Sequence, residues 1–141
     1  MEGHSKIAEM IMNYSSQLKI DFNTKDIGGN TEFHSACFYG HPKIAELMMD
    51  NSSKLKIDLS IKNNYSLTAF HEACKSGQTR IVEIMIEKSE SCNIDLAAKD
   101  RQGNNGYQIA RKFKNTEVVN LIKTKRPSLV RGVFRILICG C

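Results

Sequence analysis

The chain is 141 residues long, 41% hydrophobic and 25% charged, with a formal net charge of +5. That balance gives one folded domain with enough chain for a core, and it excludes a disordered one. MEGHSKIAEMIMNYSS lacks the basic start and longer apolar run of a secretory signal, and no apolar stretch reaches the roughly 18 residues of a membrane-spanning helix.

These features place the chain in the cytoplasm, with the nucleus as the alternative, so its five cysteines are expected as reduced thiols. Without export, the sequons at Asn13, Asn51 and Asn64 are chance matches. All 15 acidic residues lie before position 123 and are matched there by 15 of the 20 basic ones. The other five, Lys123, Lys125, Arg126, Arg131 and Arg135, form a basic tail with no acid in it. A neutral body argues against nucleic-acid binding, which needs positive charge concentrated on a folded face.

In chain order, Ile7, Ala8, Met10 and Ile11 form the first apolar stripe at helical spacing. Asp26-x-x-Gly29-x-Thr31 has turn composition, and Thr31 is placed to cap a short helix running to Tyr39. Phe33, Ala36 and Cys37 share one face of that helix, and Gly40 ends it. A second helix opens at Pro42 with the stripe Ile44, Ala45, Leu47 and Met48. Leu55-x-Ile57-x-Leu59 then alternates as an extended connector would.

The same order recurs at a fixed step of 37 residues. Gly3-His4-Ser5-Lys6-Ile7-Ala8-Glu9 returns as Gly40-His41-Pro42-Lys43-Ile44-Ala45-Glu46, as Gly77-Gln78-Thr79-Arg80-Ile81-Val82-Glu83, and faintly as Lys114 to Asn120. Ile20, Ile57 and Ile94, then Lys25, Lys62 and Lys99, then Phe33, Phe70 and Tyr107 keep that offset. A single period between 20 and 50 residues is the mark of a stacked repeat array.

Thr31-Glu32-Phe33-His34-x-Ala36 and Thr68-Ala69-Phe70-His71-x-Ala73, each followed by Gly and an Ile-x-Glu helix, resemble the Thr-Pro-Leu-His-x-Ala signature of ankyrin repeats. The resemblance covers residues 3 to 124 and implies an all-α, ankyrin-like helix-turn-helix solenoid with short β-turn fingers. Two features depart from the family. Its usual proline is Glu32, Ala69 and Gly106, and the period is 37 where the family has about 33. The extra residues lengthen the second helix or its exit through Ser52-Ser53-Lys54 and Ser89-Glu90-Ser91. The expected division is 1–24, a partial first repeat of second helix and connector; 25–61; 62–98; 99–124, a degenerate capping repeat; and 125–141, a basic and apolar tail.

His34 and Cys37, and His71 and Cys74, repeat a His-x-x-Cys element that invites a metal or catalytic reading. Ligands of one zinc must all lie about 2.0–2.3 Å from it, whereas equivalent helices of successive repeats stand about 8–10 Å apart. The resemblance implies instead that each histidine ring makes structural hydrogen bonds between neighbouring turns, and the cysteines act as small apolar core residues. No cofactor, metal or catalytic group is expected. Gly28-Gly29-Asn30 is a turn tip, and Glu83 and Glu87 lie on a solvated helix face.

The resemblance implies a non-catalytic protein-protein interaction module, an adaptor or scaffold, that meets an unidentified protein partner through its turn tips and concave first-helix face. The candidate contacts are Ile27, Asn64, Tyr65 and Arg101 on the tips, and Ser35, Phe38, Tyr39, Glu72, Lys75 and Lys112 on the first helices. Phe38, Tyr39 and Tyr65 are expected as an aromatic anchor cluster. One alternative is an inhibitor or decoy array of the inhibitor-of-NF-κB type. Another is a peripheral membrane protein: Cys139-Gly140-Cys141 resembles the lipidated ending of Rab-type GTPases.

At the start, Gly3 matches Gly40, so the first unit lacks its first helix. That implies a fragment of a longer array, a shortened copy, or an edge covered by a partner or by self-association. Near the other end, Pro127 and Ser128 open a helix whose stripe is Leu129, Val130, Val133 and Leu137, expected as a cap over the last repeat or as an ill-ordered end.

Overall fold

The computed structural model describes residues 2–130, among which there are helices and no β-strand. The helices are α1 (Glu2–Leu18), α2 (Glu32–Tyr39), α3 (Pro42–Asp50), α4 (Ser52–Leu55), α5 (Ala69–Ser76), α6 (Thr79–Lys88), α7 (Gly106–Lys112) and α8 (Thr116–Lys125). A further helical turn occupies 127–130. They form two layers. In the inner layer α5 packs between α2 and α7; in the outer layer α1, α3, α6 and α8 pack in that order. Each inner helix also packs on the outer helix that follows it. The result is a stack of antiparallel hairpins, the all-α ankyrin-like architecture.

Each inner helix starts and stops on local chemistry. Thr31, Thr68 and Asn105 hold extended backbone just before α2, α5 and α7, with ψ of 171°, 169° and 176°. The Thr31 N–H donates to Nδ1 of His34 at 3.2 Å and that of Thr68 to Nδ1 of His71 at 3.0 Å. Asn105 and Gln108 make the equivalent box with amides, the Asn105 N–H reaching Gln108 Oε1 at 2.9 Å. Gly40 and Gly77 close α2 and α5 in the left-handed region at φ 75° and 71°, where a side chain is disfavoured. Lys114 holds the same turn at φ 59° without that freedom.

The core lies between the layers. Phe33, Ala36 and Cys37, then Phe70, Ala73 and Cys74, then Tyr107 and Ala110 supply its inner side. Ala45 and Met48, then Ile81, Val82 and Met85, then Val118 and Ile122 supply its outer side. Neither stripe buries itself; stacking does it. Gly106 stands at the family's proline position because a Cβ there would come within 2.6 Å of the Phe70 ring and 2.9 Å of Cys74 Sγ.

The lengthened period resolves into an added turn on the outer helix. Lys19, Lys56 and Asn93, 37 residues apart, hold left-handed backbone at φ 51°, 53° and 54°. Behind each, an isoleucine N–H reaches back five residues, Ile20 to Ser15, Ile57 to Ser52 and Ile94 to Ser89, at 3.2, 2.9 and 2.8 Å. This is the helix-ending bond of a Schellman motif. The same serines donate their hydroxyls to the carbonyls of Met12, Met49 and Ile86. In α1 the added turn is continuous. After α3, Asn51 donates its side chain to Leu47 O at 2.8 Å and breaks the helix, leaving α4 as a separate turn. Leu55, read as the start of an extended connector, therefore belongs to a helix.

Contacts across the stack keep the same register. Lys62 Nζ donates to Lys99 O at 2.8 Å, Asn64 Nδ2 to Ile27 O at 2.9 Å, and Arg101 to Asn64 O at 2.8 Å. On the outer layer, Lys88 pairs with Asp50 at 2.6 Å and Lys125 with Glu83 and Glu87 at 2.9 and 3.2 Å. The basic tail, with no acid of its own, is thus engaged at its start: Lys125 pairs with two carboxylates of the preceding outer helix, and Arg126 donates to Ser89 Oγ at 2.7 Å. These exposed pairs are worth little individually.

Candidate functional site

The tight turns before the inner helices form fingers along one side of the stack. In the first, the Asp26 N–H bonds to Asn30 O and the Gly29 N–H to Asp26 O, at 2.9 and 3.0 Å; Asn63–Leu67 and Asp100–Asn104 repeat the closure at 2.9 Å each. The fingers are tied to one another, since the Asn64 N–H donates to Gly28 O at 3.0 Å. At their tips Ile27, Asn64, Tyr65, Arg101 and Gln102 are exposed, and Gly28 is half-buried. On the inner helices Phe38, Tyr39 and Lys112 are exposed, while Ser35, Lys75 and Ser76 are half-buried. Phe38 and Tyr39 meet edge to face with ring centres 5.0 Å apart, and Tyr39 and Tyr65 are each 69% exposed.

Glu72 departs from the sequence reading. Placed there among outward-facing positions, it is 6% exposed. The physical reason is the neighbouring finger: Asn63 reaches over it and donates to Glu72 Oε1 at 2.9 Å and to Asn30 Oδ1 at 2.9 Å. Glu72 Oε2 has no partner among the described residues, and neither has the hydroxyl of Ser76.

Two neighbouring cavities open on this side and share Tyr65 and Lys75. The first, about 170 Å³, is walled by Phe38, Tyr39 and Tyr65, with Glu72 and Asp26 among its polar groups. The second, about 350 Å³, is lined by Lys75, Arg101 and Lys112 beside Phe113. Lys75 Nζ lies 5.6 Å from the centre of the Phe113 ring, a cation–π contact that draws it towards the second cavity. A larger groove of about 570 Å³ lies between α1 and α2, lined by Ile11, Met12, Phe22, Tyr39, Ile44 and Met48.

The His-x-x-Cys elements lie inside the stack. The Nε2 of His34 donates to Leu67 O and that of His71 to Asn104 O, each at 3.1 Å, joining each inner helix to the next finger. With Nδ1 accepting from Thr31 or Thr68, both rings are neutral and have no free nitrogen. Burial pushes both histidines below their usual range, against the opposing pull of those carbonyls. Cys37 and Cys74 are fully enclosed, and burial drives their thiols far above the ordinary value, which removes nucleophilic thiolate. Glu83, read as part of a solvated carboxylate pair, is held below the usual range by its bonds from Lys125 and Arg80. Among the described residues there is no group of three or more His, Cys, Asp or Glu placed to hold a metal ion.

At the far end, Leu129 is buried and its carbonyl accepts from Asn105 Nδ2 at 3.1 Å, so the turn at 127–130 lies on the start of α7. Val133, Leu137, Cys139 and Cys141 lie outside the described residues. No described helix is long and apolar enough to cross a membrane. No curated protein matches the chain. The family model of the ankyrin repeat matches residues 65–101, which begin at the second finger and end at the tip of the third.

Proposed function

We propose that this ankyrin-repeat chain is a non-catalytic protein-binding module that grips its partner through the finger tips and the inner helices. The units on this reading are 25–61, 62–98 and the end unit 99–124, with 1–24 supplying an outer helix and the tail beginning at 125. One observation carries it: Phe38, Tyr39 and Tyr65 stand exposed together around one cavity. Aromatic side chains dominate interface energies because each offers a large contact area for few frozen torsions. Ile27, Asn64, Arg101 and Lys112 extend the face on both sides, and Ser35 and Lys75 form part of its floor.

The test is affinity capture with the intact chain and with Phe38→Ala/Tyr39→Ala/Tyr65→Ala, followed by binding of each recovered protein in purified form. The triple variant is expected to keep its helical signal and thermal midpoint and to lose a partner at least tenfold. Equal retention of every partner by both chains overturns the reading.

A second reading rests on α1, where Ile7, Met10, Tyr14 and Leu18 are all more than half exposed. Such an apolar face suits self-association. Sedimentation of the chain across a hundredfold concentration range tests it, a constant monomer mass being the result against.

A further inference from the structure

Glu72 is a carboxylate 94% removed from solvent with one oxygen unmatched, at the wall of an aromatic-lined cavity. A buried polar oxygen left short of donors is costly in general, so a fold that keeps one has a use for it or a partner that completes it. Three donors of the described residues are spent elsewhere, while the Ser76 hydroxyl, one turn along α5, is unpartnered among the described residues. His34 gives its one N–H to Leu67 O, Lys25 donates to Lys62 O, and Lys75 is turned over Phe113. Asn63, the one group that does donate to Glu72, divides its amide between Glu72 and Asn30.

We propose that this cavity is a subsite for one basic side chain, lysine or arginine, presented by an extended segment of the partner protein. The inference rests on the protein-binding reading and names the chemistry of its central contact. Three features select a cation. Glu72 and Asp26 are the charged groups that line the cavity besides Lys75, whose ammonium is held over Phe113. Phe38, Tyr39 and Tyr65 offer ring faces, which attract ammonium and guanidinium groups. The size is right: about 170 Å³ is well below the roughly 300–1,000 Å³ of drug-sized ligand sites and fits a single side chain. The next cavity sharpens the choice, because Lys75, Arg101 and Lys112 repel a cation there and accept an acidic residue a few positions along the same segment. Entry requires the rim to move. Tyr39 and Tyr65, both 69% exposed, are free to rotate aside.

In the equivalent place on α2 stands Ser35, and on α7 Ile109, so the carboxylate belongs to one inner helix of the three and not to the repeat as such. A purely structural role for the Asn63–Glu72 bond is the competing account, and it makes no demand on charge in the ligand.

The probes are blocked pentapeptides with arginine, lysine or the neutral isostere citrulline at the centre and glycine elsewhere, titrated into the isotopically labelled full chain and followed by amide NMR shifts. Arginine and lysine peptides are expected to shift Phe38, Tyr39, Asn63 and Tyr65 saturably, with the citrulline peptide at least tenfold weaker. Glu72→Gln, which keeps an oxygen for Asn63, is expected to abolish that tenfold preference. Tyr65→Leu, which leaves the carboxylate in place, is expected to weaken arginine binding at least threefold and serves alone should the first variant not fold. Equal binding of citrulline, undiminished cation binding in Glu72→Gln, no threefold loss in Tyr65→Leu, or shifts centred on Arg101 and Lys112 overturns the proposal. No charge preference combined with loss of partner in Phe38→Ala/Tyr39→Ala/Tyr65→Ala removes the subsite and leaves the protein-binding reading standing.

Discussion

At one edge of the stack α1 packs on α3 and α4 and leaves Ile7, Met10, Tyr14 and Leu18 open; at the other, α8 tucks Val118 and Ile122 completely away and Leu129 is buried beyond it. The two helices carry the same kind of apolar stripe at the same register. What differs is the neighbour. α8 is preceded by α7, which packs on it, whereas no inner helix precedes α1 among the described residues. Burial is therefore a property of the hairpin and its stacking, not of the helix that carries the stripe.

Substitutions at the two edges separate these contributions. Ile122→Ala removes a wholly buried side chain from the closed edge and is expected to cost about 2–5 kcal/mol, read by urea denaturation. Gly106→Ala, which forces a methyl group against Phe70 and Cys74, is expected to cost about 1–3 kcal/mol by overpacking the same side of the stack.

Acid acts in the middle, between the edges, where His34 and His71 are held neutral by burial. Their native values are lowered, so below the ordinary histidine value of about 6.5 the unfolded chain binds protons that the folded one refuses. Their contribution is complete above that pH and is lost as pH falls through the lowered native values. The thermal midpoint is expected to drop between pH 7 and pH 5, and His34→Gln/His71→Gln, imitating Gln108, is expected to flatten the slope.

Smaller effects follow at the helix ends and the open face. Lys114→Gly relieves a left-handed lysine at φ 59° and is expected to stabilise by about 0.5–1 kcal/mol once the greater freedom of unfolded glycine is subtracted. Met10→Ser on the exposed face of α1 is expected to change stability by no more than about 0.5 kcal/mol. A loss as large as that of Ile122→Ala would mean that the open edge is covered in solution, and the comparison would fail.

The hairpins and their joints were legible because Thr31 and His34, and Thr68 and His71, carry both ends of a capping bond in four residues, and the constant offset put them in register. Phe38, Tyr39 and Tyr65 fall on the outward side of that pattern, and all three are exposed. Other features depend on residues distant in sequence. The burial of Glu72 is set by Asn63, nine positions away on a different element, and a charged residue on a short helix reads as outward-facing. Lys125 meets its acids in the preceding outer helix, about 40 positions back. The left-handed turns at Lys19, Lys56 and Asn93 lack the glycine that would announce them, so the added residues could be placed near the outer helix without showing how it ends.

The lateral bonds that join residues 37 apart carry a consequence for how such a chain changes length. Lys25 and Lys62 address the same backbone atom of successive units, as do Asn64 and Arg101, and His34 and His71 address carbonyls that themselves differ by one period. Excising one whole block of that size would leave every severed donor facing an acceptor of the same kind at the same place. Loss or gain of any other number would mate each donor with a stranger, so evolution can edit this molecule cheaply only in whole units.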